Sequence, residues 1–101
     1  MTTKREIMAN IDGGINAHIV KNNTIEYWKE DGSRVIRLHH TDILTFNPDN
    51  TITFNTDGWE TISTKSRMNE YQNKVNIYQK NHKWYVSTKD GDMEYHDGIT
   101  I

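Results

Sequence analysis

The chain has 101 residues, 14 acidic against 12 basic side chains, five histidines and no cysteine. Such a length points to one domain, and the missing cysteine excludes disulfides, thiolate zinc sites and cysteine nucleophiles. A net charge of −2 argues against a broad nucleic-acid binder, which carries a basic excess, and equally against an acidic DNA mimic. No apolar run approaches a membrane span, and Met1-Thr-Thr-Lys-Arg-Glu6 lacks a signal peptide's apolar centre. The expectation is a soluble, cytoplasmic protein with no membrane partner.

Ile, Val, Thr, Tyr, Phe and Trp supply 38 residues, whereas Leu and Ala together supply four. Branched and aromatic side chains suit a pleated surface, so this bias predicts strands. The apolar fraction is 34%, so the core must rest on a few large rings: Trp28, Phe46, Phe54, Trp59, Trp84 and Tyr85. A core this small often gains stability by self-association, and a homo-oligomer is expected.

Residues 1–10 are polar and patternless, and read as an N-terminal arm. Asp12-Gly13-Gly14 turns the chain into a first strand, Asn16 to Lys21. Strands at Thr24–Lys29 and Ser33–His39 flank Glu30-Asp31-Gly32, a hairpin signal because glycine supplies the positive φ of the turn. Asp42–Phe46 and Thr51–Asn55 alternate around Asn47-Pro48-Asp49-Asn50, with Leu44 and Phe46 facing Ile52 and Phe54. Pro48 suits the second turn position.

From Thr61 hydroxyl residues able to cap a helix precede Met68, Tyr71 and Val75 at helical spacing, predicting one short helix at about 64–73. Strands at Val75–Gln79 and Lys83–Thr88, one around Met93–His96 and a last at Gly98–Ile101 complete the chain. The predicted fold is a single α+β domain over 11–101. It is a strand-dominated antiparallel meander or small barrel with one helix.

Trp59-Glu-Thr-Ile-Ser-Thr-Lys-Ser-Arg-Met-Asn69 is the most informative stretch. A helix N-terminus carries unpaired N–H groups and partial positive charge, and normally attracts Asp or Glu. With a start near 64, Lys65 and Arg67 fall in the first turn, beside Ser63, Thr64 and Ser66. An anion there would meet amides, hydroxyls, an ammonium and a guanidinium together. The bland reading uses the same residues: hydroxyls cap the helix, and the cations bend back to Glu60 or Glu70. Trp59 either stacks on a ring or plugs the core, and packing is the commoner role for such a tryptophan.

Three runs carry a resemblance: Arg37-Leu-His-His-Thr-Asp-Ile-Leu-Thr-Phe46, Thr51-Ile-Thr-Phe-Asn55, and Gly58-Trp-Glu-Thr-Ile-Ser-Thr-Lys-Ser-Arg-Met-Asn69. Together they resemble a family of small bacteriophage proteins of uncharacterised function. Its pattern is Gly-Trp-x-Thr-x-Thr-Thr-Lys-x-Arg-(Met/Ile/Leu)-Asn after a strand pair with Leu-His-x-Thr-Asp-Ile. The likeness covers roughly residues 35–70, with a looser match at Trp84-Tyr85-Val86 and Asp97-Gly98-Ile99. Ser63 replaces the usual Thr and keeps the hydroxyl; His40 stands where many members have Gly. The resemblance implies phage origin, and hence host cytoplasm, but brings no activity.

His39 and His40, if on a strand, face opposite ways, and His18, His82 and His96 are scattered. No metal-ligand spacing, catalytic constellation or Gly-rich phosphate loop occurs, so neither enzyme, metal nor cofactor is expected. The reading is a non-enzymatic phage accessory protein of the anti-defence kind, binding an anionic small ligand such as a nucleotide-type immune signal. Its binding residues would be Thr64, Lys65, Arg67 and Asn69, with Trp59 or Tyr71 for stacking. The alternatives are a protein–protein inhibitor of a host defence enzyme, working through a sheet edge or aromatic patch, and a local nucleic-acid module using Arg34 and Arg37. Nucleic acid is the less expected partner.

Overall fold

The computed structural model describes residues 15–101; the expected arm at 1–10 lies outside them. Five strands come first: β1 (Ile15–Lys21), β2 (Thr24–Trp28), β3 (Arg34–Leu38), β4 (Thr41–Phe46) and β5 (Ile52–Phe54). The helix α1 (Ile62–Glu70) follows, then β6 (Asn76–Lys80), β7 (Lys83–Thr88) and β8 (Gly91–Glu94). The first five strands form one antiparallel meander and the last three a second. Among the described residues the meander expectation holds and no barrel closes.

The turns behave as their residues dictate. Gly32 adopts φ +92°, and its hairpin closes through Lys29 N–H to the Ser33 carbonyl at 2.9 Å. At the next hairpin Leu44 pairs with Phe54 and Phe46 with Ile52, the facing that alternation predicts. The β3–β4 register shifts after Ile36, inserting one residue into β4. That bulge lets adjacent Ile43 and Leu44 both be buried, against strict alternation.

One core joins the two sheets and the helix. Ile36, Leu38, Ile43, Leu44, Ile52 and Phe54 meet Met68, Val75, Ile77, Trp84, Val86, Tyr95 and Ile99. A smaller cluster, Ile25, Tyr27 and Val35 with Ala17 against it, occupies the other face of the larger sheet. Of the six rings expected inside, Phe54 and Trp84 are buried, while Trp28, Phe46 and Tyr85 are half-buried. Trp28 stacks with His18 at 5.9 Å, and the Arg34 guanidinium lies 4.1 Å from the Phe46 ring centre. Trp59 corrects the expectation outright: it is 67% exposed and plugs nothing.

The expected last strand is reduced to a bridge between Thr53 and Thr100. Its backbone is nonetheless latched along β5. Phe54 N–H donates to Ile99 O at 2.9 Å, Gly98 N–H to Phe54 O at 2.8 Å, and Ile52 and Ile101 exchange bonds of 2.8 and 2.9 Å. The tail leaves the smaller sheet and ends on the larger, so the two are tied by chain as well as by core.

Candidate functional site

The helix begins at Ile62, two residues earlier than the pattern predicts, and ends at Glu70 rather than 73. Thr61 caps it, with extended backbone and its side chain accepting from Thr64 N–H at 3.1 Å. The Thr61 and Thr64 hydroxyls are also 3.0 Å apart. This start corrects the electrostatic reading for Arg67 alone, since Lys65 still lies in the first turn. No acidic residue occupies the first turn, but Arg67 lies in the last turn, where a cation is favoured by the dipole.

The other end of the helix is sewn into the fold. Asn69 donates to Ile77 O and accepts from Ile77 N–H, both at 2.8 Å, replacing a strand partner at the edge of β6. Buried Gln72 donates to Met68 O at 3.1 Å and Val75 O at 2.8 Å, and accepts from Lys74 and Val75 N–H. The bond to Met68 O satisfies one helix-end carbonyl, and the others fix the turn from the helix into β6. Arg67 Nε donates to Thr24 Oγ1 at 3.1 Å, and its guanidinium stands 3.7 Å from Glu70. Tyr71, the C-cap, packs against the core, and burial is the main reason its hydroxyl's pKa lies above the ordinary value. Lys65 reaches Gln79 at 3.5 Å and lies 5.9 Å from the Trp84 ring centre.

The opposite, N-terminal end of the helix borders a pocket of about 510 Å³. Leu38, His39, His40 and Thr41 form one wall; Asp57, Trp59, Thr61, Ser63 and Thr64 form the other. The first wall exists because β3 ends at Leu38. His39 takes φ +56°, its N–H donating to Asn23 O at 2.9 Å. The expectation that the two histidines face apart on a strand is thereby corrected: at this turn both line one cavity.

The second wall is a loop bent through Asp57 (φ +53°) and Gly58 (φ +84°). Trp59 N–H donates to Thr56 O at 2.9 Å, and Thr61 N–H to Trp59 O at 3.0 Å. Asp97 holds the loop: it accepts from the Thr56 N–H at 2.8 Å, the Thr56 hydroxyl at 2.9 Å, the Gly58 N–H at 3.4 Å and the Tyr95 hydroxyl at 2.8 Å. Partial desolvation pushes the Asp97 carboxyl up, but these donors outweigh it and hold its pKa below the usual value. Burial, then the bond to Asp97, pushes the Tyr95 hydroxyl well up.

Of the six residues expected to bind, Trp59 and Thr64 line this pocket; Lys65, Arg67, Asn69 and Tyr71 do not. Sequence reasoning placed Ser63 among the helix-start hydroxyls but missed His39, His40 and Asp57. Their signal was present in the His-His-Thr-Asp and Asp-Gly-Trp runs, but neither run showed that the two turns meet. Chemically the residues lining the cavity bring an indole, two imidazoles, hydroxyls and one carboxylate. Among the described residues no group of three or more His, Asp or Glu is arranged to hold a metal ion. No helix among them is long and apolar enough to cross a membrane.

Fold and cavity together define a small, strand-dominated α+β protein with a pocket of small-molecule size at a helix start. The chain matches the family described as Kyanoviridae Gp96 protein over residues 2–101, and it belongs to that family of bacteriophage proteins. No curated protein and no solved structure matches it.

Proposed function

We propose that this phage protein is a non-enzymatic accessory factor that sequesters a small ligand of nucleotide type, such as a host defence signal. One observation carries the reading: Trp59 is 67% exposed at the rim of the cavity. Leaving so large a ring in water forgoes burial worth about 2 kcal/mol, which a stacked base would restore. The Ser63 hydroxyl and the helix-start N–H groups not taken by Thr61 supply donors for a phosphate, and His39 adds an imidazole. Lys65 and Arg67 have no part in this version of the site.

The test is a thermal-shift and native mass-spectrometry screen against cyclic dinucleotides, ADP-ribose and mononucleotides. At least one should raise Tm in the parent protein and fail to do so in Trp59→Ala. A melting temperature unmoved across that library sinks the reading.

The second reading, an inhibitor docking on a host defence protein, draws on Ile62, which is 78% exposed close to Trp59 in the chain. Ile62 does not line the pocket, so Ile62→Asp separates the two. Loss of a stoichiometric host partner with nucleotide binding retained favours docking.

A further inference from the structure

We infer that Asp97 is the positioning residue of the Trp59 pocket, a clamp in the C-terminal segment that sets the rim from about forty residues away in sequence. This rests on the pocket being the binding site. The argument starts from what the 55–60 loop lacks. It belongs to neither sheet, it bends through two left-handed residues, and Asp57 to Glu60 are all exposed. Burial of residues 57–60 therefore does not hold Trp59 where it stands, and the local bonds, from Gly58 N–H to the Thr56 hydroxyl at 3.2 Å, from Trp59 N–H to Thr56 and from Thr61 N–H to Trp59, link the loop only to itself and to the helix cap.

Asn55 N–H bonds Ile43 O at 3.1 Å where the loop leaves β5; beyond that point, what ties it to the body of the protein is one carboxylate. Asp97 accepts from two backbone N–H groups and one hydroxyl of Thr56 and Gly58, on either side of Asp57 and directly before Trp59. Its remaining bond goes to Tyr95, which is 7% exposed and lies against Trp84, their ring centres 5.5 Å apart. A continuous series of contacts thus runs from the core of the smaller sheet, through Tyr95 and Asp97, to the loop that carries Trp59. On the far side, Gly98 N–H bonds Phe54 O at 2.8 Å, so the clamp is seated on β5 directly before the loop leaves it. Charge-assisted bonds to a carboxylate are the strong kind, and several converging on one group fix both position and angle. An indole held this way is pre-organised to stack, so less ordering entropy is lost when a ring arrives.

The experiment compares the full chain with Asp97→Asn, which keeps the shape but replaces one acceptor oxygen by a donor, and with Thr56→Val, which removes only the hydroxyl. Amide hydrogen exchange is read at Thr56 and Gly58, and the indole N–H signal of Trp59 is followed by NMR, assigned with Trp59→Phe. Both variants should speed exchange at Thr56 and Gly58 at least tenfold and shift or broaden the Trp59 signal. Exchange in β2 and β3 should stay unchanged, which general destabilisation would not allow. Should Asp97→Asn fail to fold, Thr56→Val carries the test at the backbone N–H of residue 56 and at the Trp59 signal, because the Gly58 N–H also bonds the Thr56 hydroxyl at 3.2 Å.

Unchanged exchange and an unmoved Trp59 signal in the folded variants overturn the clamp. So does a loosened loop whose affinity for a nucleotide probe, measured against one the parent binds, is undiminished. If the parent binds no probe at all, the ligand reading fails by itself, and the exchange data still decide whether Asp97 positions the loop.

Discussion

The two ends of α1 carry similar polar residues and use them in opposite ways. At the C-terminal end Arg67, Asn69 and Gln72 are consumed by the fold, bonded to Thr24, Ile77, Met68 and Val75. At the N-terminal end Ser63 and Trp59 stay exposed beside a cavity, with His39 and His40 across from them. A residue type suited to gripping a ligand is therefore no guide until its own hydrogen bonds are accounted for. The end whose groups are spent holds the protein together; the other end, where Thr61 and Thr64 bond each other while Ser63 and Trp59 are exposed, borders the cavity to which the proposed ligand is assigned.

The sharpest way to break this comparison is Asn69→Ala. It strands both the N–H and the carbonyl of Ile77 at the start of the smaller sheet, and should cost about 2–4 kcal/mol in urea unfolding. A loss below about 0.5 kcal/mol would mean that solvent replaces those bonds and that this end is not structural.

Next in size is an alkaline effect at Tyr27. Burial foremost, and then the bond to Asp42 at 2.8 Å, push its pKa up to about 12. The folded value lies above the unfolded one near 10, so this contribution is complete below about pH 10 and is lost as pH rises toward 12. Stability measured across that window should fall by on the order of 2 kcal/mol in the parent and distinctly less in Tyr27→Phe. Parallel curves for the two proteins would show that Tyr27 is not the group responsible.

Arg67→Ala should cost about 1 kcal/mol, chiefly through the lost bond to Thr24, because Glu70 is well exposed and its ion pair is worth little. The same variant should leave nucleotide binding intact, since Arg67 does not line the cavity. Weakened binding by this variant would return the ligand to the side of the helix that the fold consumes.

The smallest stability effect belongs to Trp59→Ala, expected within about 0.5 kcal/mol because the ring is mostly in water. Its measurable consequence is loss of ligand-induced stabilisation. A large drop in Tm without ligand would restore Trp59 to the packing role that its residue type suggested.

Most of the strands and turns were legible, because period-two alternation and Asp-Gly or Asn-Pro turns act over a few residues. The pairing of Leu44 and Phe46 with Phe54 and Ile52 follows from such local pattern. The helix was legible as a helix, but its start was misplaced by two residues, and that small slip moved Arg67 from the last turn to the first. The bulge at Ile43 escaped notice, since nothing local marks an extra residue that only the opposing strand reveals. The sequence by itself determined the class of the fold, the order of its hairpins and the capped helix after Thr61, all products of short-range sterics and apolar periodicity. Only the tertiary structure decided that Asn69 is spent on Ile77, that Trp59 faces water, and that two turns some twenty residues apart share a cavity. Those outcomes depend on which surfaces meet when the sheets close over the core, and that geometry is written in no single segment.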